Sequence, residues 1–254
     1  MNSILVHSDM RGFSAKEVIN LTRGADFRKN VIDSAFTELQ TLADGREIFL
    51  PAFNYDFTST RLFNVDQDLP QVGRIPVEAM SKPGWHRSKS PVYSFFSNRE
   101  RPPLVLRPFS EVSLFADLVK RDCEIGLLGV GFESLTFIHH VEHVFNVPYR
   151  YSKRFEGEIV HKQTSSLVCV EFHVRPIGLN VSYDFEKIRN FLLKSSAAKV
   201  SSNQLILVSA RQTLNNLLGR LKDDPTFLLT EESADSVLHK LNELGRPMQQ
   251  GDFE

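Results

Sequence analysis

Short apolar runs of strand length alternate with longer segments whose apolar residues recur every three or four positions, along most of the 254-residue chain. The strand-like runs fall at 3–7, 47–55, 91–96, 124–130, 166–175 and 204–208. Between them, 26–42 carries Phe27, Val31, Ile32, Ala35, Phe36 and Leu39 at helical spacing and stops at Asp44-Gly45. Further helical segments are expected near 75–82, at 113–120 behind a Ser113 cap, and at 137–145, 184–196, 209–222 and 232–244. A long polar loop follows the second strand through Gln71. Such alternation predicts an α/β protein, a layered sheet with helices on both faces. The strands are short, so antiparallel pairs can enter the sheet. We expect one domain over 1–254, with a motif-bearing core at 1–155 and a smaller C-terminal α/β portion at 156–254 packed on it.

Composition narrows the function classes. Apolar residues make up 41% and charged residues 24%, as in ordinary globular proteins, and the 20 Phe are scattered as core filling. A net charge of -1 supplies no basic footprint for nucleic acid. Cys123 and Cys169 each sit in an apolar run and are expected to be buried and reduced. The apolar stretch in MNSILVHSDM is too short for a signal peptide, and no run approaches a membrane span. A cytoplasmic protein without membrane insertion is the expectation.

The segment GVGFESLTFIHHVEHVFNVPYR, residues 129–150, carries the chemistry. Ile138, Val141 and Phe145 mark the inward face of its helix. His139 and Glu142 are three apart and therefore neighbours, and a carboxylate beside an imidazole can fix its tautomer and make it a general base. Two other readings stand beside this one. The histidines and Glu142 could decorate an exposed face. Alternatively, His139-x-x-Glu142-His143 fits a zinc hydrolase pattern, with Glu156 or Glu158 as the nearest third ligand.

The whole segment resembles the aminoglycoside 3-N-acetyltransferase family of antibiotic N-acetyltransferases, which carry LLLGVGF(D/E), a Thr-containing spacer and a His-x-x-Glu helix ending in VPYR. Thr136, His139 and Glu142 fall on the family's positions without a gap. Further segments match in the family's order: ILVHSDM (4–10), FLPAFNYDF (49–57), PQVGRIPVEAM (70–80), HRSKSPVYSF (86–95) and RPFSEVSLFADL (107–118). DDPTFLL (223–229) is a looser match, so the resemblance is good over 4–155 and weaker beyond.

This resemblance implies acetyl-coenzyme A as co-substrate, no metal, and direct transfer to an amine on a sugar. His139 would be the base and Glu142 its orienting partner, both counted as catalytic. No cysteine lies in a matching motif, which argues against a thiol intermediate. Ser8, Arg87, Ser88, Ser94, Ser113 and Phe115 sit on motifs that surround the coenzyme in such proteins, and Arg87 suits phosphate. Ser113 suits a helix cap equally well. Tyr55, Asp56, Glu133 and Thr136 are the candidate acceptor contacts.

The departures point away from antibiotics. Ser90 and Tyr93 stand where the family usually has His, and Asp9 where it has Ser. The 54–71 loop holds few carboxylates (Asp56, Asp66 and Asp68) for a polycationic substrate. An amino sugar, nucleotide-linked and belonging to surface-polysaccharide synthesis, is the favoured small-molecule acceptor. An aminoglycoside-resistance enzyme and a non-catalytic binding protein on the same fold are the alternatives. The sequence leaves a homodimer open.

Overall fold

The computed structural model describes residues 3–13, 27–202 and 204–253; the expected helix start at Asp26 lies outside them. In chain order the elements are β1 (Ser3–Ser8), α1 (Phe27–Ala43), β2 (Glu47–Pro51), α2 (Phe57–Thr60), β3 (Leu62–Asn64) and α3 (Arg74–Ala79). Then come β4 (His86–Arg87), β5 (Phe95–Ser97), α4 (Leu114–Lys120), β6 (Glu124–Leu128), α5 (Ile138–Phe145), β7 (Tyr151–His161) and β8 (Thr164–Val174). The chain finishes with α6 (Phe185–Lys194), β9 (Ala198–Ser202), β10 (Leu205–Ser209), α7 (Ala210–Asp223) and α8 (Glu231–Leu244).

A seven-stranded sheet runs β4-β5-β2-β1-β6-β10-β9. Its central strand β1 is parallel to β2 and β6, whereas β5 and β10 join antiparallel to β2 and β6. The mixed α/β architecture expected from the alternation is therefore present; β9 and β10 join this sheet, whereas β3, β7 and β8 form a second, three-stranded sheet. Because side chains alternate along a strand, Ile4 and Val6 pack on one face with Phe36 and Leu39 of α1 and Ile75 of α3. Leu5 packs on the other with Phe115 of α4, Val141 of α5, Leu192 of α6 and Leu217 of α7.

Several expectations are corrected. The 91–96 run forms a strand only from Phe95, because Pro91 has no N–H to give and Val92 turns to φ 63. The polar loop before Gln71 contains α2 and β3, and β3 lies parallel to β7. The strand β7 was not expected at all. It shows buried side chains only at Tyr151, Phe155 and Ile159, every fourth residue, so strict alternation never appears. Its hairpin to β8 turns at Lys162 (φ 48) and Gln163 (φ 65), positions that usually advertise themselves as Asn-Gly. Strand β9 was likewise missed. Cys169 on β8 is exposed, although Cys123 is buried with its Sγ 3.3 Å from Ser3 Oγ.

The site is aimed by the exit of β6. Gly129 sits at φ 68, and a Cβ there would come within 2.2 Å of Gly12 N, so only glycine lets the ends of β1 and β6 touch. The chain then enters α5, which stops where Asn146 adopts the left-handed conformation and donates its amide to His143 O. Val147 N bonds back to Glu142 O, and this tight reversal returns Arg150 to the helix it has just left.

Candidate active site

The reading of α5 as a decorated exposed face does not hold. Glu142 has no exposed surface and His140 is buried, with its Nδ1 2.8 Å from Phe109 O. Only His139 reaches the cleft, with 24% of its side chain exposed. Its Nδ1 lies 2.9 Å from Glu142 Oε2. Arg150 Nε is 2.8 Å from the same oxygen, and the Tyr183 hydroxyl donates to both carboxylate oxygens at 2.9 Å. Arg150 in turn donates to the Tyr183 oxygen and, at 2.9 Å, to His173 O.

These contacts fix the protonation states. Burial alone would raise the Glu142 carboxyl, but the Arg150 charge and the His139 and Tyr183 hydrogen bonds outweigh it and hold it down at about 2. An ionised carboxylate can only accept, and at 2.9 Å this shortest contact favours the proton on Nδ1 of His139 and the lone pair on Nε2, against the longer approaches of Arg150 Nη2 (3.3 Å) and the Tyr183 hydroxyl (3.2 Å) to Nδ1. Burial first, and then the Arg150 charge, push His139 below its ordinary value, with Glu142 opposing both. At neutral pH the imidazole is an uncharged base.

His139 lines a cleft of about 950 Å³ with Tyr55, Tyr93, Arg150, Tyr151 and Tyr183. A second cleft of about 360 Å³ is lined by Ser88, Ser90, Phe95, Arg101 and Ser113. Tyr93 lines both. It packs against Phe109 at 4.8 Å, and Phe109 against His139 at 5.6 Å between ring centroids. The residue before it, Val92, is buried at positive φ, a strained position for a β-branched side chain that is offset by its bridge to Asn54.

The expected residues divide. Tyr55 lines the larger cleft, and Ser88 and Ser113 the smaller, although Ser88 also accepts from Phe95 N and Ser113 caps α4 through Ala116 N. Arg87 is corrected: it is buried, and its guanidinium donates to Ala52 O (2.7 Å), Val65 O, Asp68 O and Ser94 Oγ, so it braces main chain and presents nothing to a phosphate. Ser94 is fully buried and donates its hydroxyl to Ala52 O. Phe115 is core, stacked on Phe109. Ser8 ends β1 with a buried Oγ that has no hydrogen-bond partner, and it lines neither cleft.

Among the acceptor candidates, Asp56 accepts from Gln71 and Asn54, Glu133 folds back on Gly131 N, and Thr136 reaches Ser134 O; none of the three lines the cleft. Arg150 and Tyr183 were missed. Arg150 was visible within the VPYR match, but nothing marked Tyr183.

The zinc hydrolase reading finds no support. Glu142 is engaged by Arg150 and Tyr183, and the His143 ring turns to His173 at 5.4 Å. Among the described residues no three His, Cys, Asp or Glu side chains converge as a metal site. No described helix is long and apolar enough to cross a membrane.

Several solved structures share the fold. The apoenzyme of aminoglycoside acetyltransferase AAC(3)-IVa is 21% identical, with 94% of this chain and 90% of that chain covered at a TM-score of 0.65. A binary complex of AAC-IIIb with CoASH is 20% identical over 87% and 90%, also at 0.65. A variant of AAC(3)-IVa in complex with apramycin is 20% identical over 89% and 87%, at 0.61. No curated protein matches the sequence.

The donor that goes with an N-acetyltransferase of this kind is acetyl-coenzyme A. The smaller cleft combines the Ser88, Ser90 and Ser113 hydroxyls with an apolar wall of Pro102, Pro103 and Val105, and its cations Arg101, Lys120 and Arg121 stand among Glu47, Glu100, Glu111 and Asp117, with Arg121 Nε 2.9 Å from Asp117 Oδ1. The model of the aminoglycoside 3-N-acetyltransferase family matches residues 50–221, and the chain belongs to that family of N-acetyltransferases.

Proposed function

We propose that the protein transfers an acetyl group directly to the amine of an amino sugar, with His139 as general base. The observation that carries this is His139 Nδ1 standing 2.9 Å from the buried Glu142 carboxylate, with its ring at the wall of the larger cleft. An ammonium has no lone pair, so a base that is free near neutrality is required. His139 takes the proton at Nε2. Glu142 orients the ring, and Arg150 and Tyr183 hold Glu142.

Acetyl-coenzyme A supplies the activated thioester. Ser88 and Ser113 would meet its amides, and Arg101 and Lys120 its phosphates, Arg121 being paired with Asp117. Tyr93, shared by the two clefts, marks where donor and acceptor meet. Tyr55, Tyr151 and Phe172 offer aromatic faces to a sugar ring. Holding the reactants together then supplies much of the acceleration.

Thiol release by His139→Ala tests the reading, with glucosamine as the first acceptor. Turnover should fall by about 10²–10⁴-fold while coenzyme A binding is retained. Near-normal turnover would remove His139 from the reaction.

A further inference from the structure

Tyr93 is the one described residue that lines both clefts. Its backbone is held there under strain. Tyr93 N donates to Pro91 O at 2.8 Å across Val92 at φ 63, a γ-turn of the rare kind whose central residue is here β-branched and buried. The carbonyls on either side are tied to the chain that continues β2. Val92 O accepts from Asn54 N at 3.0 Å, and Ser94 O from Ala52 N at 2.8 Å. The ring meets Phe109 at 4.8 Å, Phe53 at 5.1 Å, Phe172 at 6.0 Å and Tyr55 at 6.4 Å, each edge to face. Backbone and ring are both fixed.

The hydroxyl is the part left unused. Among the described residues it has no hydrogen-bond partner, and the side chain's contacts are those four rings. It lies close enough to Glu142 and Arg150 to feel both charges. Burial first, and then Tyr55 and Glu142, raise the phenol above its ordinary value, with Arg150 opposing. A phenol that keeps its proton and has no partner is a neutral donor in need of an acceptor. Acetyl transfer makes one, because charge develops on the thioester oxygen as the nitrogen attacks, and a donor fixed beforehand stabilises it without reorganising.

We propose that the Tyr93 hydroxyl donates a hydrogen bond to the carbonyl oxygen of the bound thioester and stabilises the charge that develops there. This rests on the acetyl-transfer reading above, with the thioester at the junction of the clefts. The amine nitrogen bonds to the carbonyl carbon, its proton passes to His139 Nε2, and the C=O π pair moves onto the oxygen that Tyr93 faces. The pair then returns and the C–S bond breaks. The sulfur leaves with its electrons and takes the proton from His139 as free coenzyme A. His139 and Tyr93 both pack on Phe109, at 5.6 and 4.8 Å, so one ring spaces base and donor.

Tyr93→Phe tests this, since it keeps the ring and removes only the oxygen. In thiol release from acetyl-coenzyme A with glucosamine, kcat should fall about 10²–10³-fold, while both KM values stay within about threefold of native. A native kcat, or a loss carried by KM alone, overturns the proposal.

A second measurement needs no acceptor. The carbonyl stretch of acetyl-coenzyme A labelled with carbon-13 at the carbonyl is read by infrared difference spectroscopy on the native protein and on Tyr93→Phe. A donated hydrogen bond weakens the C=O bond, so the band should lie lower in the native protein; equal frequencies overturn the proposal. If the native protein does not acetylate glucosamine, the amino-sugar reading loses its first acceptor, whereas the infrared comparison still decides Tyr93.

Discussion

Arg150 Nε stands 2.8 Å from Glu142 Oε2, with 7% and 0% of the two side chains exposed. This sealed ion pair governs His139 although neither partner need touch substrate. The carboxylate orients the ring and favours its protonated form. The guanidinium keeps that carboxylate ionised and, by its own charge, opposes protonation of the imidazole.

Glu142→Gln should therefore cost both activity and stability. Without the negative charge Arg150 is left buried and unpaired, a change of about 3–5 kcal/mol. The developing imidazolium loses its counter-charge as well. Urea denaturation and steady-state kinetics on the same preparation should show a lower midpoint together with a kcat reduced about 100-fold or more.

Tyr183→Phe isolates the hydroxyl that donates to Glu142. The carboxylate then concentrates its accepting capacity on His139, which raises the imidazole's affinity for a proton. With His139 as the base, the acidic limb of kcat/KM is expected below the ordinary imidazole value because burial depresses His139, and in the variant it should move upward in pH. A limb that stays put or moves down would show that Tyr183 does not act through Glu142.

Stability should fall as the pH drops below about 6.5, ahead of ordinary carboxylate protonation. Burial pushes His7 and His140 down to about 4 and His173 to about 3. The unfolded chain binds protons on these residues between their free and folded values, whereas the native state does not, so stability rises with pH across that window. Three such groups give a slope of up to about 4 kcal/mol per pH unit between pH 6 and 4. Denaturant midpoints at pH 7.5, 6 and 5 measure it.

Arg87→Ala should behave as a folding variant. It removes the donor from the Val65 and Asp68 carbonyls and from Ser94 Oγ, and leaves Ala52 O with the Ser94 hydroxyl alone, at a cost of about 3 kcal/mol or more. The thermal midpoint should drop by several degrees while the KM for acetyl-coenzyme A in the folded protein stays unchanged. A selective rise in that KM would instead return Arg87 to the coenzyme.

The His139–Glu142 pair was legible because its members are three residues apart on one helix, where geometry is local. Arg150 could be seen only as part of a matching string, since its return to α5 depends on the left-handed turn at Asn146. The burial of His140 and Glu142 ran against the polarity of HHVEH, because packing decides which face turns inward once polar groups find partners. Cys169 misled for the opposite reason: the apolar run around it lies on a hairpin whose outer positions stay open.

Sequence alone determined the alternation that builds a layered sheet, and the local pairing of His139 with Glu142. Tertiary structure decided the rest. Tyr183 lies 44 residues beyond His139, and the hydroxyl–imidazole distance of 3.2 Å exists only because separate elements fold onto α5. Arg87 changed from a phosphate ligand to a main-chain brace because burial surrounded its guanidinium with carbonyls. Periodicity and short spacings report what neighbours along a chain can do; charge and solvation depend on neighbours in space.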